Sequence, residues 1–269
     1  MIKKLISKLF VMFFKYTSKN SGPNAFYLNK IISDANFSIG KGSGGPNSIV
    51  SEIKSIGKIL DSQNPQLIID VGAHQGSYSD LIIEKYPKSI IHCFEPSKHN
   101  FNLLSKKYAE KKNIHLNNMG LSDSEGDVNL FSDYSGSGLA SLNKRKLDHF
   151  NKEFDYEEKV KTITFDKYWS ENLQKKEIDL LKLDVEGTEL SVLQGCKNAM
   201  ENIKNIQFEF GGANIDSRTY FQDFWYLFKE YNYEIFRITP FGLIEINTYT
   251  EQEEFFKTTN YIARNKNML

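Results

Sequence analysis

Apolar residues recur in two rhythms along this chain. Between Leu67 and Phe210, short unbroken apolar runs alternate with stretches whose apolar residues fall three and four apart. The run Leu67, Ile68, Ile69 suits a strand buried on both faces, and Asp70 ends it. The same reading predicts a helix over Ser77–Tyr86, a strand over Ser89–Phe94 and a helix over Ser97–Lys111 with Ser97 as N-cap. A third strand follows at Ile114–Asn118, and alternation marks added strands at Asp127–Phe131 and Lys159–Thr164. Ile178–Leu183 is the next buried strand, with a helix through Met200 and a further strand at Ile203–Phe210. The pattern then predicts a helix at Ser217–Glu230 and a hairpin of Tyr233–Ile238 with Leu243–Ile246. A short helix at Glu251–Phe256 and a last strand at Asn260–Ala263 complete it. Upstream, Ile49, Ile53, Ile56 and Leu60 give Asn47–Leu60 helical spacing.

Strand and helix in alternation imply an α/β fold: a mostly parallel sheet with right-handed crossovers and helices on both faces. The late hairpin adds one antiparallel strand at an edge. In such sheets ligands lie beyond the carboxyl ends of the strands. That rule gathers Asp70, Glu95, Asp123, Asp184 and Glu209 on one rim. The polar stretch Ser132–Glu158 is longer than an idle loop, which suggests a cover for the substrate.

The chain of 269 residues divides into an N-terminal segment, 1–46, and one large domain, 47–269. In the first twenty residues Ile2, Leu5, Ile6, Leu9, Phe10, Met12 and Phe13 share a helical face, with Lys4, Lys8, Lys15 and Lys19 opposite and Val11 the exception. The longest apolar run, Leu9 to Phe14, is too short to span a bilayer, and no small-residue cleavage site follows it. An interfacial amphipathic helix with weak membrane-surface contact is expected; a helix docked on its own domain or a partner is the alternative. Ser21 to Pro46, with its Gly/Pro/Ser clusters, reads as a linker or loop and lacks the Gly-Lys-Ser/Thr ending of a phosphate loop. Formal charge is zero, so charge balance implies no nucleic-acid stripe. The two cysteines, Cys93 and Cys196, fit a reducing cytosol, peripheral contact with the inner membrane surface aside, and do not support a disulfide framework or a zinc site.

The chemistry sits in the turns. Asp70, Gly72 and Gly76 read D-x-G-x-x-x-G where a dinucleotide fingerprint reads G-x-G-x-x-G. An acid in place of the first glycine repels a diphosphate. It suits a ligand with an ammonium and a sulfonium, which is S-adenosylmethionine. Glu95, 25 residues after Asp70 and at the end of the second strand, stands where an acid accepts from both ribose hydroxyls. A strand-turn-helix that binds nothing, and a solvated strand-end charge, are the structural alternatives.

Four segments together resemble a known family. They are Asp70-Val-Gly-Ala-His-Gln-Gly76, Phe94-Glu-Pro96, Gly120-Leu-Ser-Asp-Ser-Glu-Gly126, and Leu181-Lys-Leu-Asp-Val-Glu-Gly-Thr-Glu189 with Leu193-Gln-Gly195. Over roughly Leu67 to Asn265 the chain is similar to the FkbM-type methyltransferases, and the Lys-x-Asp-Val-Glu-Gly-x-Glu segment is the more specific part. The resemblance implies a class I methyltransferase Rossmann-like fold of seven strands with S-adenosylmethionine as donor. It implies O-methylation of a hydroxyl on a sugar, glycolipid or secondary metabolite. His74 stands where the family usually has Asn.

Methyl transfer is an in-line displacement with loss of a hydroxyl proton. Asp184, at the end of its strand, is expected near the donor's methionine end, and Glu186 facing the acceptor hydroxyl; Gly187 permits the turn and Thr188 would cap the helix. Purely structural roles are the alternatives: backbone pairing for Asp184, the helix dipole for Glu186, a nearby cation for Glu209. Asp123 either caps a turn or holds the adenine amino group. His74 either acts as base or bonds backbone. Asp184, Glu186 and Glu209 could give oxygen ligands to magnesium, but no spacing demands a metal. Two other functions share this architecture: a nicotinamide-dependent oxidoreductase, and a non-catalytic membrane-associated binding module.

Overall fold

The computed structural model describes residues 2–19, 21–45, 48–61 and 64–269. The predicted boundaries at Met1, Asn20, Pro46 and Asn47 lie outside the described residues. The chain opens with α1 (Ile2–Lys19), α2 (Ser21–Ser38) and α3 (Ile49–Leu60). Here the structure corrects the expected linker, which is helical as far as Ser38. Gly22 and Pro23 fall in the first turn of α2, where a missing N–H costs nothing. Among the described residues of that stretch, only Ile39 to Gly45 is irregular, and it is docked. The Gly44 N–H donates to the Thr258 carbonyl at 2.9 Å and the Gly42 N–H to Thr259 Oγ1 at 2.8 Å. Arg237 Nη1 donates to the Ile39 carbonyl at 3.1 Å.

Next come β1 (Leu67–Val71), α4 (Ser77–Lys85), β2 (Ile90–Phe94), α5 (Lys98–Lys107) and β3 (Ile114–Asn117). The chain then leaves the main sheet for β4 (Gly120–Leu121), β5 (Gly126–Ser132) and β6 (Tyr156–Ile163), followed by α6 (Phe165–Asn172). It returns through β7 (Leu180–Leu183), α7 (Glu189–Gln194), β8 (Asn205–Phe210), α8 (Ala213–Ser217) and α9 (Phe221–Glu230). The last strands are β9 (Tyr233–Thr239), β10 (Gly242–Ile246) and β11 (Thr259–Asn265).

Eight strands form the main sheet in the order β10-β9-β11-β8-β7-β1-β2-β3, and β4-β6-β5 form a second, three-stranded sheet. The first three strands, β7 and β8 run parallel. β10 is the expected antiparallel edge. The eighth strand and the second antiparallel one are additions to the expected seven: β11 inserts between β8 and β9, antiparallel to both. Six of the eight strands run in one sense, and the strand order reverses between β1 and β7, the place where such sheets open a crevice.

Helices cover both faces, as the parallel strands require. Ile56, Leu60, Ile82 and Leu104 pack with Ile68 and Leu180 on one face. Phe165, Trp169, Val192, Phe221, Phe224 and Phe228 pack with Ile69, Leu181 and Leu183 on the other. Phe208 stacks on Phe224 and Tyr261 at centroid distances of 5.1 and 5.3 Å. Helix α6 has no counterpart in the sequence reading; its start is marked by Thr164, whose hydroxyl accepts from the Lys167 N–H at 3.3 Å. The predicted Ser97 cap is not made by its side chain, and the helix after β7 stops at Gln194.

Candidate active site

A cleft opens at the carboxyl ends of β1, β2 and β7. Its apolar wall is Val71, Phe94, Leu121 and Leu130, and its polar groups include Glu95, Asn100, Asp184 and Glu186. The segment from Ser137 to Leu142 closes one side. That segment belongs to the long β5–β6 connection, so the predicted cover does lie over the crevice.

Gly72 makes the crevice geometrically feasible. It sits at φ +78°, and a Cβ there would fall 1.8 Å from the Asp184 carbonyl oxygen. Only glycine lets β1 and β7 end this close together. The next turn brings His74, at φ +48°, whose N–H donates to Glu95 Oε2 at 2.8 Å. The Ser97 N–H donates to Glu95 Oε1 at 2.9 Å. Each carboxylate oxygen thus keeps a lone pair for a ligand. Burial pushes the Glu95 carboxyl up to about 7, against the two backbone N–H bonds that favour its charge. Asn100, absent from the sequence reading, also lines the cleft; its Oδ1 is buried with no hydrogen-bond partner. The His74 ring Nε2–H donates to the Gly136 carbonyl at 3.2 Å, so this histidine supports the cover.

Two predicted carboxylates stand on the far wall. Asp184 is about half exposed and lies 3.4 Å from Lys182 Nζ. Glu186 sits at φ +54° and is tied to the cover twice. Its Oε2 accepts from Arg145 Nη1 at 2.5 Å, and its carbonyl accepts from Ser141 Oγ at 2.8 Å. Arg145 also faces Asp216 at 3.6 Å. Burial raises the Glu186 carboxyl above the ordinary range and Asp184 adds to this, while Arg145 opposes it. Glu189 closes the turn, accepting from the N–H groups of Val185 and Gly187 at 3.0 and 3.2 Å. Thr188 does not cap α7; its hydroxyl donates back to Val185. On β8, Glu209 is pushed well above the carboxylate range by burial and by Asp184, Glu186 and Glu189, which favours its neutral form.

Three predicted site residues do not line the cleft. Asp70 does not line the cleft but lies buried under its floor. Strand side chains alternate, so Asp70 shares the face of Ile68 and not that of Val71. It accepts from Ser79 Oγ at 2.6 Å and pairs with Lys182 Nζ at 3.1 Å, its register neighbour on β7. Burial would lower the Lys182 ammonium, but Asp70 and Asp184 outweigh it and hold the charge on. Lys182 also lies 5.0 Å from the Tyr78 ring centroid and donates to the Gly72 carbonyl at 3.3 Å. Gly76, at φ +81°, backs onto Tyr108 and Leu104 rather than the cleft. Asp123 is exposed in a turn, accepting from the hydroxyls of Ser122 and Ser124. Among the described residues, no group of three or more His, Cys, Asp or Glu is placed to hold a metal ion.

Strand order, a glycine turn after β1 and an acid after β2 define a class I methyltransferase domain. The profile of the Methyltransferase FkbM domain matches residues 70–235, and the chain belongs to that family. It is 24% identical over 180 residues to the 2-O-methyltransferase NoeI of Sinorhizobium fredii, covering 63% of this chain and 73% of that one. It is 29% identical over 172 residues to the methyltransferase sdnD of Sordaria araneosa, covering 54% of this chain and 66% of that one. A crystal structure of an FkbM methyltransferase from Methylobacillus flagellatus aligns with TM-score 0.46 and 16% identity, over 74% of this chain and 44% of that one. Family membership sets aside the oxidoreductase: the chain is a methyltransferase of the FkbM family.

Proposed function

We propose that this methyltransferase takes its methyl group from S-adenosylmethionine and delivers it to a hydroxyl of a sugar, glycan, glycolipid or secondary metabolite. The observation that carries the reading is Glu95: a buried carboxylate, oriented by two backbone N–H groups, facing a largely apolar cleft. Its remaining lone pairs suit two vicinal hydroxyls, and the orphaned Asn100 Oδ1 suits one more donor. When bound, the donor supplies an electrophilic methyl group. Gly72 leaves room for it at the end of β1, and Asp184 offers negative charge to its cationic end. Phe94, Leu121 and Leu130 line the cleft and would exclude water from the donor's apolar surface.

Glu186 is the acceptor-side carboxylate. Its raised carboxyl can take a proton from a hydroxyl near neutral pH, and Arg145 fixes its orientation. The acceptor is read as a hydroxyl compound on family grounds. The 2-O-methyltransferase NoeI supports this, at low identity.

Titration calorimetry of the purified chain with S-adenosylhomocysteine tests the donor. Each hydrogen bond to a charged group is worth about 1.5–3 kcal/mol. With two such bonds, Glu95→Ala is therefore expected to weaken binding roughly 10²–10⁴-fold. Wild-type protein that binds no S-adenosylhomocysteine overturns the reading.

A further inference from the structure

We propose that α1 and α2 together form a docking unit for an anionic lipid surface, and that this unit sits on the same rim as the cleft. Leu5, Leu9, Met12 and Tyr16 follow helical spacing along one side of α1, and each is more than half exposed. Helix α2 extends the apolar surface with Phe26, Tyr27, Ile32 and Phe37, all at least half exposed. Monomeric proteins rarely leave so many large apolar side chains bare on consecutive helices.

Charge selects the occupant. From residue 1 to residue 33 the sequence holds six lysines and no Asp or Glu; the first acid is Asp34. The remainder of a neutral chain must therefore be net acidic, so the segment is a local basic patch and not part of a general trend. Apolar side chains beside lysines are the composition of a helix that lies in the headgroup layer. No helix among the described residues is long and apolar enough to cross a membrane, which leaves lying on it.

Topology supplies the orientation. The carboxyl ends of β1, β2 and β7 bear the cleft, and β8 and β9 run in the same sense. Thr259 pairs with Phe210, at the carboxyl end of β8, and Ile39 to Gly44 is bonded to Thr258, Thr259 and Arg237. The α2 exit is thus fastened to the cleft-bearing rim. A bilayer that captures the helices lies on that side, and this rests on the proposed function only in naming the cleft as the active site.

The test is co-sedimentation of the full chain with vesicles of phosphatidylcholine and phosphatidylglycerol, against pure phosphatidylcholine. The variants are Leu9→Glu/Met12→Glu and Lys4→Glu/Lys8→Glu, each checked for unaltered S-adenosylhomocysteine affinity. The expected result is binding to anionic vesicles that falls at least tenfold on neutral vesicles, in high salt and in both variants. Equal sedimentation of wild type and the Leu9→Glu/Met12→Glu variant overturns the inference. So does concentration-dependent dimerisation that the same variant abolishes, since a second copy would then own the apolar stripe. Vesicle binding needs neither donor nor acceptor, so its failure leaves the donor assignment standing, and failure of donor binding leaves this one standing.

Discussion

At the residue scale, Lys182 and Glu95 decide the most. Lys182 is buried between Asp70 and Asp184, and removing one partner of a buried pair leaves a naked charge. Lys182→Met should cost about 3–5 kcal/mol, read as a fall in thermal midpoint on the order of 10 °C. Pairing it with Asp70→Asn should recover much of that loss. A single variant as stable as wild type would show that the pair is not the clamp between β1 and β7. Glu95 adds a pH signature. Its raised carboxyl favours the neutral form in the folded chain, so its contribution to stability is full below the ordinary carboxylate range and is lost as pH rises through about 7. Donor affinity should run the opposite way, because hydroxyls donate to the charged carboxylate. Calorimetry across that interval should show tightening with pH in the wild type and a flat profile in Glu95→Gln. The sequence exposed Glu95 because it stands past the strand end, where direction is set by the turn. It did not show that Asp70 turns away from the cleft lining, because strand parity, not proximity to glycines, fixes which face a side chain takes; Ile68 and Val71, on opposite faces, held the information.

At the element scale, the β5–β6 connection acts as a cover held by a few contacts. Arg145 reaches Glu186 and Asp216, Ser141 bonds the Glu186 carbonyl, and the His74 ring holds Gly136. Arg145→Ala should free this cover. The expected outcome is faster proteolytic nicking between residues 132 and 158 and a loss of catalytic efficiency on the order of tenfold or more, in line with a buried pair worth roughly 3 kcal/mol or above. Nicking at the wild-type rate would assign the pair to the turn after β7 alone. Nothing local to Arg145 announces its partner, 41 residues away in sequence, which is why the length of the loop was legible and its latch was not. Helix α2 was missed for another reason. Gly22 and Pro23 look like breakers, but they occupy the first turn, where neither breaks a helix.

For the whole molecule, alternation of apolar runs with helical spacing was enough to place five parallel strands and helices on both faces. The insertion of β11 between β8 and β9 was not readable, because strand order is set by pairings remote in sequence, and Asn260–Ala263 carries no mark of its neighbours. The same holds for the irregular residues after α2, which read as a tether and are in fact sewn to the end of the sheet that opens into the cleft. That stitching fixes where the helices are attached. If the helices are held by a surface, the mouth is kept within a short tether of it, and the hunt for an acceptor shrinks from three dimensions to two.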